Sequence, residues 1–316
     1  MKHFLLTAAA AAMVLALGSC AKTEVTDVPD SRYIGFDAFI WNPTKAVEEV
    51  NTANIESFYV FGQKDNTPIF DNEEVYESDT PDQWIYDERE IWESGRAYTF
   101  AAYSNGGKRG GKVEGFAWDG TNLTVTDYNT STHAKDLLVA IASNASELST
   151  SNVPVQFNFR HALSMIKFTI NSELGDGDDN RINISSFTVS GIKAQGDLSF
   201  DNTGGIVWSN WETPTNLVAE DFATETSTPG ESEPFVVIPG ESGVSFTVTF
   251  TATFGDGTGT KNLQASISDQ QFTAGYRYNY VATITGADMD VITFADPEVT
   301  PWTDTDVNLG DLDAQQ

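Results

Sequence analysis

Cys20 is the only cysteine in the chain, and Leu17, Gly18 and Ser19 stand immediately before it. A thiol behind small residues, closing an apolar run from Phe4 to Leu17 that follows the cationic Lys2, has the form of a lipid-attachment point at the end of a secretory leader. One diacyl group on the thiol plus an amide-linked chain would meet the requirement for more than one chain in stable anchoring. The alternative is an ordinary cleaved leader that leaves a free thiol. A lone cysteine in an exported protein has no disulfide partner, which favours lipidation. The run is too short to be a spanning helix, which takes about 20 apolar residues across a core of about 30 Å. No later stretch reaches that length, so everything after Cys20 is expected to be soluble and outside the cytoplasm.

Other reactive constellations are sparse. The three histidines are His3, His133 and His161. His3 goes with the leader, His133 lies in a Thr/Ser loop, and no metal-ligand spacing of His, Cys, Asp or Glu is visible. His161 is expected to be a structural hydrogen-bonder at a bend. Asp176 to Asp179 and Asp256 to Gly259 carry calcium-type oxygen ligands, but neither follows the alternating-Asp loop or ends in a placed Glu, so solvated turns are expected. Carboxylates are too numerous for any pair to mark a glycosidase, and no nucleophile elbow or phosphate-cradling loop is present. The expectation is no enzyme and no cofactor. Trp84, Trp92, Trp118, Trp208 and Trp211 could either stack on sugars or pack in a core. A net charge of -29, from Lys+Arg 17 against Asp+Glu 46, would repel a phosphate backbone and excludes nucleic acid as a partner.

The elements that must position these residues are strands. Aromatics reach 12%, Ser and Thr abound, and 3.6-residue periodicity is missing beyond the leader, which predicts an all-β protein. After the leader (1–20) comes an acidic tether (21–32), then a run Tyr33 to Trp41 in which Ile34, Phe36, Ala38 and Ile40 share one face. Ser245 to Phe254 alternates apolar and Thr/Ser residues, as a strand with one wet face does. Between Val155 and Ile170 the apolar parity switches from Val155, Phe157 and Phe159 to Ile166, Phe168 and Ile170. One flat strand cannot hold both sets in one core, so a bulge or short helical turn is expected near Arg160 to Ser164. The hydrophilic stretch 175–180 predicts a hinge between an N-terminal β-sandwich (33–174) and a C-terminal one (181–316).

Five segments in order resemble the fimbrillin family of Bacteroidetes, the pilins of the type V pilus. They are Ile91-Trp-Glu-Ser-Gly-Arg-Ala-Tyr-Thr-Phe-Ala-Ala-Tyr103, Asp136-Leu-Leu-Val-Ala140, Phe157 to Ile166, Phe272 to Tyr280, and Ile292 to Trp302. Glu93 stands where that family commonly has Pro. The resemblance implies two transthyretin-like sandwiches in tandem and a structural role in a surface filament. It also implies that a trypsin-like protease removes the first strand and that a strand from a neighbouring subunit fills the groove. On that pattern Ile34, Phe36, Ala38 and Ile40 form the displaced strand. Lys45 and Ala46 form the cleavage site, with Lys where a strictly Arg-specific protease needs Arg. Cutting after Arg32 would leave the strand in place. The alternative is a retained, self-supplied strand in an anchor, a terminal subunit or a free-standing lipoprotein. Ile292 and Phe294 are the candidate donor plugs, or else part of an ordinary edge strand.

The resemblance places the protein on the outer membrane through its lipid, as part of a fimbrium. Its implied partners are other fimbrial subunits, with a host or bacterial surface protein or glycan as a further class. The rival expectation is a non-polymerising, glycan-binding surface lipoprotein that uses Trp84 or Trp208.

Overall fold

The computed structural model describes residues 32–40, 55–79, 83–131 except 108, 136–142, 153–240 except 202, 204 and 214, 242–286 except 258, and 291–302. These residues build strands and turns, with no α-helix among them. In chain order the strands are β1 (Phe36–Ile40), β2 (Ser57–Lys64), β3 (Thr67–Glu77), β4 (Trp84–Ile85), β5 (Tyr98–Asn105), β6 (Ala117–Trp118), β7 (Asn122–Asn129), β8 (Leu137–Ala142), β9 (Val155–His161) and β10 (Ser164–Ser172). They continue as β11 (Ile182–Ser190), β12 (Gln195–Asp201), β13 (Ile206–Glu212), β14 (Leu217–Val218), β15 (Phe222–Thr224), β16 (Gly230–Glu231), β17 (Phe235–Val237), β18 (Val244–Phe254), β19 (Gly259–Gln270), β20 (Tyr276–Ile284) and β21 (Glu298–Pro301).

The first sandwich packs a seven-stranded sheet, ordered β1-β9-β8-β5-β2-β3-β4, against a four-stranded one, ordered β13-β12-β7-β6. Between them lie Tyr59, Phe61, Tyr103, Leu123, Val125, Leu198 and Trp208. The alternate positions of the large sheet, among them Phe58, Val60, Phe100 and Ala102, point the other way into a second core. With both faces buried, these strands read as continuous apolar runs. The large sheet curls over that second core, so that Phe36 of β1 lies 5.4 Å from Phe70 of β3 and 5.9 Å from Phe100 of β5, ring centre to ring centre.

The second sandwich faces β16-β10-β20-β21, with β17 also on β10, against β14-β11-β18-β19, with β15 also on β11. Its core holds Phe168, Ile170, Phe187, Val189, Phe246, Phe250 and Tyr280. On β18, even-numbered Val244 to Phe254 are buried while the intervening residues are half-buried or exposed, the alternation that its sequence dictates.

Two sequence expectations take a different physical form. The parity switch between Val155 and Ile170 is a change of sheet: β9 ends at His161, Ala162 and Leu163 bend, and β10 starts at Ser164 in the other sandwich. Segment 175–180 lies between β10 and β11, both strands of the second sandwich, and is a turn within it. The hairpin β12–β13 returns to the first sandwich, where β12 pairs with β7 and sets Leu198 opposite Val125. The sheets therefore part at residues 162–163, and each half of the chain contributes to the first sandwich.

Gly255 shows how tightly that 175–180 turn is packed. A Cβ there would stand 1.9 Å from the Asp178 carbonyl oxygen, and Gly255 N–H donates to Arg181 O at 2.9 Å. Gly255→Ala is expected to destabilise the second sandwich by about 1–3 kcal/mol, the usual cost of overpacking, measured by urea unfolding. Gly35→Ala, whose Cβ would meet Pro154 at an ordinary 3.6 Å, is expected to be tolerated.

Candidate functional site

Cys20, Lys45, Ala46 and His133 lie outside the described residues. Of the expected displaced strand, the described part is held on two sides. On one, β1 runs parallel to β9, Phe36 opposite Val155 through Ile40 opposite Phe159, and Val155 N–H donates to Gly35 O at 2.8 Å. On the other, the residues leading into β1 meet the segment after β4. Ile34 N–H donates to Glu90 O at 2.8 Å, and Trp92 N–H donates to Arg32 O at 2.9 Å. The Tyr86 hydroxyl donates to Ile34 O at 2.6 Å. Burial pushes its phenol up to about 12, which keeps the proton in place for that bond.

The side chains follow the period-two rule. Ile34, Phe36 and Ala38 are all buried in one core whose other members come from residue 55 onward. The Phe36 ring is ringed by Phe70, Tyr86, Phe100 and Phe157 with centres 5.4 to 5.9 Å away. Ile40 is the last residue of β1. The groove thus offers backbone donors and acceptors on both sides and an aromatic pocket at its floor. Those are the features by which an extended segment is bound.

The expected donor run sits on its own sandwich. Strand β21 pairs antiparallel with β20, Tyr276 opposite Pro301, and forms the edge of that sheet. Phe294 bridges Ala282 and its ring packs on Phe168 at 5.5 Å. Ile292 is buried in the second sandwich's core.

His161 is buried at the bend, and its Nδ1 lies 2.6 Å from Oδ2 of Asp136, also buried. Trp302 stacks on the imidazole at 4.7 Å between ring centres and an interplanar angle of 13°. Sequence reasoning missed Asp136 as the partner. The available signal was a carboxylate opening the apolar run that becomes β8.

Of Trp84, Trp92, Trp118, Trp208 and Trp211, two are buried and three are half-buried. Trp208 is buried and its Nε1–H donates to Ala162 O at 2.7 Å, and Trp92 is buried against Tyr98. Trp84 is half-buried on Phe58 at 4.8 Å, and Trp211 donates to Pro239 O at 2.9 Å. Trp118 is half-buried over the first sandwich's core. The described residues also include no group of three or more His, Cys, Asp or Glu able to hold a metal ion.

A model of the fimbrillin-like family matches residues 44–302. The chain belongs to the fimbrillin-like family. Similar solved structures include a fimbrial protein from Bacteroides vulgatus ATCC 8482, 16% identical over 86% of this chain and 100% of that one, with a TM-score of 0.57. A cell adhesion protein from Bacteroides ovatus ATCC 8483 is 17% identical over 86% of this chain and 98% of that one, TM-score 0.54. One from Bacteroides uniformis ATCC 8492 is 18% identical over 87% and 100%, TM-score 0.51. At these identities the likeness establishes a shared fold. No curated protein matches the chain. Membership of the fimbrillin-like family makes this a fimbrial type of protein that works at the cell surface.

Proposed function

We propose that this fimbrillin-like protein is a structural subunit of a surface fimbrium or fimbrium-like adhesin, which reaches the surface carrying lipid on Cys20. In this reading β1 is a replaceable strand and the groove beneath it accepts a strand from another subunit. The observation that carries the reading is the position of β1 and the residues leading into it: Ile34, Phe36 and Ala38 fill a core that residues from 55 onward otherwise build. Residues 41–54 make its covalent link to that core, and Lys45 and Ala46 fall within them. Cutting there would leave β1 held by hydrogen bonds and side-chain packing alone. The family match begins at residue 44, after β1.

The proposed donor is the C-terminal run of a neighbouring subunit. Ile292 and Phe294 repeat the two-residue spacing of Ile34 and Phe36, so an extended strand could set both pairs into the same pockets. Aspartate at Ile292 or Phe294 in the chain itself would also damage the second sandwich, so the donor is better tested on peptides.

Mass spectrometry of the protein taken from its native cell surface is expected to give a chain starting at Ala46 in filaments. A cell-surface chain found only with acylated Cys20 at its start would sink strand replacement and leave an anchor subunit or a monomeric lipoprotein.

A further inference from the structure

We infer that Trp302 is a latch: stacked on His161 at the bend between the sandwiches, it locks the C-terminal run 291–302 in place and ties that run to the first sandwich. The inference deepens the proposed function and rests on it only for the consequence drawn for assembly.

The middle of the run has little to hold it. Glu298, Val299 and Thr300 of β21 are exposed and Pro301 is half-buried, so this short edge strand buries little apolar surface of its own. Its hold comes from the two ends. At one, Ile292 and Phe294 sit against the second core. At the other, Trp302 is 2% exposed and belongs to the same apolar cluster as Tyr103, Tyr128 and Leu137 of the first sandwich. Its backbone N–H donates to Gly275 O at 2.8 Å, and Gly275 N–H donates in turn to Leu163 O at 2.8 Å, so the backbone of the bend is tied to the contact through Gly275.

Beneath the indole lies the His161–Asp136 pair. Asp136 precedes β8 and His161 ends β9, both in the large sheet of the first sandwich. Lifting Trp302 therefore does more than free an edge strand. It opens a buried hydrogen-bonded pair to water at the bend, and the penalty falls on the first sandwich although the departing run belongs to the second. Edge release and opening of the junction become one event, as expected for contacts that share a single buried ring. Donation of the run to another subunit is then held back until something breaks this stack.

Hydrogen exchange on the full chain tests the latch without reference to assembly. In Trp302→Ala, exchange is expected to rise about 100-fold or more in residues 298–302 and, together with it, in residues 137–142 and 155–161. Protection of β18 and β19 is expected to stay unchanged, which also shows that the variant folds. His161→Gln, which removes the stacked ring from the other side, should loosen residues 298–302, and Trp302→Phe should keep most of the protection. A rise confined to residues 298–302 in Trp302→Ala, or unchanged protection there in His161→Gln, would overturn the inference. Faster filament formation by Trp302→Ala is the expected result for assembly. If exchange behaves as described and no filament forms, the latch stands and strand donation by this run fails.

Discussion

Replacing Phe36 by alanine will cost the first sandwich about 3–5 kcal/mol, the range for removing a fully buried phenylalanine. The side chain is 3% exposed and touches four aromatic rings contributed by β3, the segment after β4, β5 and β9. No small shift can close the space, because those rings are fixed by strands on opposite sides of the curled sheet. Edge-to-face contacts with Phe70, Tyr86 and Phe100 are lost as well. Urea unfolding followed by tyrosine and tryptophan fluorescence will show the loss, while Phe36→Leu will retain about half or more of the stability. A cost below about 1 kcal/mol for Phe36→Ala would mean that β1 only decorates the surface, and the groove would lose its significance.

Asp136→Ala is expected to be as damaging, at about 3–5 kcal/mol, since removing one member of a buried pair strands the other. The pair is 2.6 Å apart with side chains 6% and 2% exposed, so water does not replace the missing partner. Burial, helped by the Asp136 charge, pushes the neighbouring Tyr128 phenol upward, and its hydroxyl donates to Asn105 at 3.0 Å. Asp136→Asn keeps an acceptor for the imidazole N–H and will cost less. A double-mutant cycle with His161→Ala should give a coupling above about 1 kcal/mol. Additive single-mutant costs would show that the two side chains act independently.

The strands of the groove were legible because their pattern is local. Ile34, Phe36 and Ala38 alternate as a half-buried strand must, and the structure buries all three. The Ser245 to Phe254 alternation was equally plain and became β18. The switch of parity after Phe159 was visible, yet local pattern could not tell a bulge from a change of sheet, because both satisfy the same side-chain geometry. The hydrophilic stretch 175–180 resembled a hinge since polar, Gly-rich segments serve equally as linkers and as tight turns. The return of β12 and β13 to the first sandwich rests on Leu198 meeting Val125 across a long sequence separation, and composition says nothing about such pairings. Trp208 could be read as a sugar platform or a core residue. Its hydrogen bond to Ala162 at the bend decides between them, and that partner is set by the tertiary fold.

On the proposed reading, β1 occupies a groove from which it can be replaced. The direct measurement is peptide binding by a form that begins at Ala46. This form is expected to melt at a lower temperature than the chain carrying β1, and a synthetic Tyr33–Trp41 peptide is expected to bind it and restore the lost stability. A peptide of residues 291–302 should bind in competition with it, and one carrying Asp at both 292 and 294 should not. A form starting at Ala46 that is as stable as the longer chain and binds neither native peptide would contradict the account.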